Sequence, residues 1–86
     1  MAIGISDPAG EIRAAMTTAI EQALPGAQVE VTANSPGHFQ IRVVSGAFAG
    51  KSRVQQQQLV YQAIAPLMKG EAAPVHAIDR LETITA

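Results

Sequence analysis

Two stretches of alternating side chains, QVEVTA at Gln28 to Ala33 and HFQIRVVS at His38 to Ser45, face each other across Asn34-Ser35-Pro36-Gly37. Successive side chains of an extended chain point to opposite faces, so each stretch has an apolar and a polar side. Val29, Val31, Ala33, Phe39, Ile41 and Val43 form the apolar side, while Glu30, Thr32, His38, Gln40 and Arg42 form the other. Asn, Ser, Pro and Gly are turn formers, so the spacing predicts an antiparallel hairpin. A lone hairpin is at best marginally stable in water. The rest of the chain must therefore cover its apolar face.

Two amphipathic helices are predicted for that task. From Asp7 to Leu24 apolar residues recur at helical spacing as Ile12, Ala15, Met16, Ala19, Ile20, Ala23 and Leu24. Asp7 suits the N-cap, Pro8 the first helical position, and Pro25-Gly26 the stop. Beyond the glycine-bracketed connection Gly46 to Gly50, Ser52 is a second N-cap. There the spacing predicts a buried stripe through Val54, Tyr61 and Met68, filled in by Val60, Ile64 and Leu67, with Pro66 bending or ending the regular part.

Val75 to Thr85 reads as a third strand, in which Ile78 and Leu81 share a face only if a bulge intervenes. A helix joining strands two and three is a βαβ crossover, which makes those strands parallel. The predicted fold is αββαβ, an α/β (α+β) two-layer sandwich with both helices on one face of a three-stranded mixed sheet, formed as a single domain over 1–86.

Composition narrows the function. The 86 residues include no cysteine, six Lys and Arg against seven Asp and Glu, and 48% hydrophobic residues. A chain this apolar is not disordered, and its apolar runs are too interrupted for a membrane span. The absence of thiols excludes a disulfide scaffold, a thiol nucleophile and an iron–sulfur cluster held by cysteines of this chain. The first residues lack the charge and apolar run of a signal peptide, so a cytoplasmic protein without a membrane partner is expected. A core this small leaves little room for a deep pocket, and no nucleophile–base pair is visible. A binding module, not an enzyme, is expected.

Three sets of residues carry possible chemistry. Ser45 to Ser52, SGAFAGKS, ends like a phosphate-binding loop, but that pattern needs its first glycine at position 45, where Ser45 stands. A tight turn followed by an N-cap is the expected structure. Lys51, Arg53 and Arg42 are the cations available to nucleic acid, too few for a large counterion-release term. His38 and His76 open strands two and three, and parallel neighbours begin at the same edge about 4.8 Å apart. The topology thus predicts that both imidazoles belong to one site. Two imidazoles do not complete a cluster site, so a partner would have to add thiolates.

In order along the chain stand His38-Phe39, a valine-rich strand ending in Ser45, Phe48-Ala49-Gly50-Lys51-Ser52-Arg53-Val54, Leu59-Val60-Tyr61 and Val75-His76-Ala77-Ile78. This succession, over about residues 28 to 80, resembles the BolA family. The resemblance implies a KH-like αββαβ fold and a monothiol, CGFS-type glutaredoxin as partner, with a bridging 2Fe-2S cluster held between the two proteins. Cysteines would come from the glutaredoxin and its glutathione. The family's C-terminal histidine maps onto His76, and a second ligand is expected from the loop between strands one and two. Here Asn34 to Gly37 holds no Cys or His; His38, which corresponds to the residue just before the strand's Phe, is carried as the further candidate ligand beside His76. The expected role is iron–sulfur cluster handling or iron and redox signalling, with the chain alone a monomer or weak homodimer. The competing role in the family is a DNA-binding regulator of the stress response, for which Lys51, Arg53 and Arg42 are the candidates.

Overall fold

The hairpin stands at the centre of the computed structural model, which describes residues 8–70 and 73–86. β1 (Gln28–Ser35) and β2 (His38–Ser45) pair antiparallel. Their apolar side is buried as the alternation predicts: Phe39, Ile41 and Val43 lie in the core, and Val29, Val31 and Ala33 pack against it. The turn is tighter than expected, because Asn34 and Ser35 belong to β1 and only Pro36-Gly37 connects the strands. Proline holds φ at about −65°. Gly37 takes φ +77°, and together they are the pair a type II turn requires.

α1 (Pro8–Ala23) buries Met16 and Ile20, and Leu24 just beyond it, with Ile12 at the margin. Ala15 and Ala23 are exposed, so the buried stripe is a single row spaced by four, narrower than predicted. Asp7, the expected N-cap, lies outside the described residues. After β2 a single 3-10 turn, Gly46–Phe48, drives Phe48 into the core, and the Ser45 hydroxyl accepts from the Ala47 N–H at 3.1 Å. The Gln56 side chain donates to the carbonyls of Phe48 and Lys51 at 3.2 and 3.0 Å. SGAFAGKS is therefore a turn and a cap, not a phosphate cradle.

α2 (Arg53–Ile64) starts in a capping box, with Ser52 and Gln55 each satisfying the other's backbone N–H. It buries Val60 and Ile64. The predicted stripe is corrected at Val54 and Tyr61, which are 62% and 40% exposed. Residues seven apart stay within about 20° of one helix face, so these two do share a side, but Val60 and Ile64 show that the buried side is another. Pro66 stands in a 3-10 turn, Ala65–Leu67, where the regular helix has ended.

β3 (Ala77–Thr85) lies parallel to β2, in the order β1-β2-β3. Core residues of α1 and α2 meet the same sheet face, which completes the predicted two-layer α+β arrangement. The strand begins later than predicted: the Val75 N–H is bonded to the Leu67 carbonyl and the His76 N–H to that of Gly37. His76 therefore stands just ahead of the strand. The expected bulge is present. Phe39 pairs with Ile78 and Gln40 with Arg80, leaving Asp79 as the extra residue. Among the described residues no helix is long and apolar enough to cross a membrane.

Candidate functional site

At one end of the sheet the β1–β2 turn meets the segment that leads into β3. The Gly37 carbonyl accepts from the N–H of His76 at 2.8 Å and of Ala77 at 3.1 Å. A Cβ on Gly37 would lie 2.5 Å from Nδ1 and 2.7 Å from Cγ of His76, so the imidazole rests on the bare face of the glycine. The His76 side chain is exposed, and no described residue hydrogen-bonds to its ring. It is a fixed main chain carrying an accessible imidazole.

His38 sits at the same end in a different state. Its Nδ1 is 3.0 Å from Oδ1 of Asp79, while Asn34 Nδ2 donates to Oδ2 of the same carboxylate at 3.1 Å. Asp79 and its second partner, Asn34, both come from irregularities in the ladder. Ala33 pairs with Phe39 and Ser35 with His38, which leaves Asn34 as an extra residue in β1 just as Asp79 is in β3. Two bulges flanking the start of β2 thus meet over His38. The hydrogen bond from His38, then that from Asn34, hold the Asp79 carboxyl below its ordinary range. It is ionised at neutral pH and can only accept, so Nδ1 of His38 carries a proton.

The predicted pair His38 and His76 is thus gathered at one sheet end, around Gly37. Asn34, Gly37 and Asp79 are parts of this edge that the residue pattern alone did not single out. The mismatch between Ile78 and Leu81 signalled an extra residue but not its partner. Among the described residues no group of three His, Cys, Asp or Glu is placed to hold a metal ion. With no cysteine in the sequence, this edge offers imidazole nitrogens and no thiolate. Beside the edge an apolar recess of 470 Å³ is lined by Ile12, Ala33, Pro36, Gly37 and Phe39, among others.

The nucleic-acid candidates are divided. Arg42 donates from Nε to Glu82 at 3.1 Å on the sheet face away from the helices. Arg53 lines a shallow recess with Arg80 and Glu82, whereas Lys51 borders another with Gln55, Gln58 and Gln62.

A family model described as BolA-like protein matches residues 17–86. A mouse (Mus musculus) protein described as BolA-like protein 1 is 37% identical over 82 residues, covering 85% of this chain and 58% of the mouse protein. The chain thus spans little more than half the length of that relative. The solution structure of BolA1 from Mus musculus superposes with a TM-score of 0.70 at 32% identity, over 99% of this chain and 73% of that one. The BolA domain of SufE1 from Arabidopsis thaliana gives 0.67 at 26% identity, over 81% and 86%.

Proposed function

The chain belongs to the BolA family, and from that premise we propose that it is a non-catalytic accessory protein that pairs with a monothiol glutaredoxin and lends the His76 imidazole to a bridging 2Fe-2S cluster. The cluster is the pair's cargo, in cluster handling or in iron and redox signalling. One observation carries the reading: His76 is exposed, free of side-chain partners among the described residues, and seated on Gly37 with its backbone N–H bonded there. A neutral imidazole held this way offers a nitrogen lone pair at little cost in side-chain ordering. The lack of cysteine assigns the thiolates to the partner. Shared, exposed ligation suits a cargo that must leave again, whereas four thiolates of one chain would retain it. The apolar recess bordering Gly37 offers a docking partner apolar surface to bury. His38 is the candidate for a second donor.

The test is anaerobic reconstitution with a monothiol glutaredoxin, followed by visible absorption and circular dichroism. A spectrum distinct from that of the glutaredoxin alone, saturating at one to one and altered by His76→Ala, is expected. An unaltered spectrum in the variant removes His76 from the ligand set. No spectral response to the wild-type chain overturns the shared cluster. The regulator reading has less support, because Arg42 is already paired with Glu82.

A further inference from the structure

The two bulges need a reason. A bulge leaves an extra residue unpaired and disrupts the ladder locally, and such irregularities serve to re-aim a side chain. Here each strand flanking β2 carries one, that of β1 opposite His38 and Phe39 and that of β3 opposite Phe39 and Gln40. The extra residues are Asn34 and Asp79, 45 positions apart in sequence, and their side chains are joined at 3.1 Å. Between them His38 contributes the bond to the other carboxylate oxygen. The result is a clip across all three strands, closed over the residue that follows Gly37.

We propose that Asp79, extruded by the β3 bulge, is a positioning residue that clips the β1–β2 turn to β3 and so sets both imidazoles of this edge. His38 is set directly. The carboxylate keeps the proton on Nδ1, and Nε2 is then the nitrogen that carries the lone pair in the neutral ring. A carboxylate behind a histidine is the arrangement that orients the ring toward a ligand held by its other nitrogen. His76 is set through the turn: the clip holds the residues on either side of Pro36-Gly37, and Gly37 is both the acceptor for the His76 N–H and the floor under its ring. The purpose assigned to the clip rests on the cluster reading above, while the clip itself is a property of the chain alone.

The test therefore has an arm without partner or iron. Nitrogen-15 NMR of the histidine side chains, at a pH where both rings are neutral, reports the tautomer of His38 and the surroundings of His76. Three variants are compared: Asp79→Ala, deletion of Asp79 (which removes the extra residue while leaving the Arg80 pairing available), and Asn34→Ala. Glu82→Gln, which perturbs the Arg42 pair in mid-sheet, is the control.

In Asp79→Ala and in the deletion, the ratio of Nδ1–H to Nε2–H tautomer at His38 is expected to fall about tenfold, the effect of losing one charge-assisted hydrogen bond. The His76 ring signals are expected to shift, with a smaller change in both for Asn34→Ala and none for the control. Unchanged His38 and His76 signals in a folded variant overturn the proposal. Should both Asp79 variants fail to fold, Asn34→Ala decides it: a wild-type tautomer ratio and an unmoved His76 count against the clip.

The second arm reconstitutes the cluster with glutaredoxin and the same variants. A weaker or altered joint spectrum is expected for Asp79→Ala. If the wild-type chain forms no joint cluster, the cluster reading fails and the NMR result on the clip still stands. If the wild-type cluster forms and Asp79→Ala leaves it untouched, the clip does not position ligands.

Discussion

At the scale of single residues, Gly37 and Asp79 shape the edge. Gly37 has φ +77° and His76 where a Cβ would stand, whereas Gly26 has φ +85° and open space around it. The left-handed backbone costs an L residue about 1–2 kcal/mol. Gly26→Ala and Gly37→Ala are therefore both expected to lower Tm, by about 4–8 °C per kcal/mol for a domain of this size. Only Gly37→Ala also moves the His76 ring. Thermal melts with histidine NMR check both halves. Asp79 adds a pH dependence with a definite sign. Its folded pKa lies below its unfolded one, so its contribution is present in full above the ordinary carboxylate range and is lost as pH falls below about 4 toward the lowered value. The Tm difference between wild type and Asp79→Ala is expected to shrink over that acid range.

At the scale of elements, α2 shows what periodicity can and cannot decide. Ser52 was legible as its N-cap from the residue type alone, and Ser52→Ala is expected to cost about 1 kcal/mol through loss of the capping box. Which side of α2 is buried was not legible. Val54 and Tyr61 repeat at a spacing as helical as that of Val60 and Ile64, and only packing against α1 and β3 chooses between the two faces. Ile64→Ala is accordingly expected to cost about 2–5 kcal/mol and Val54→Ser at most about 0.5, measured by urea unfolding. The strands were more legible, because alternation with period two admits one inward face once the turn is placed. Strand 3 even announced its bulge through Ile78 and Leu81. The two histidines were legible as neighbours from the topology. The roles of Asn34 and Asp79 were not, since a contact between residues 45 positions apart exists only after all three strands are in register. Gln56 was hidden for the same reason: within a neutral glutamine run, nothing marks it as the side chain that accepts from Thr83 at 2.8 Å.

For the molecule as a whole, the two layers of the described residues leave one sheet face uncovered, carrying Arg42, Glu82, Gln40 and Arg80. The exposed His76, and with it the site proposed above, lies at the sheet end and not on that charged face. A joint cluster is therefore expected to be insensitive to Arg42→Ala and sensitive to His76→Ala, as read in the visible spectrum. Parallel pairing of β2 and β3 has a further consequence, in time. The hairpin is local and closes quickly, but His38 and Asp79 meet across 41 positions, after the crossover helix has formed and docked. Pairings of such long separation pay their loop-closure entropy before they return any contact, and so come late on the folding route. Pulse-labelled hydrogen exchange is expected to protect the amides of β1 and β2 before those of His76 and Ala77. The sheet end then serves as its own certificate of completion: an unfinished chain, however much of its hairpin it has built, has no seated imidazole to present to a partner.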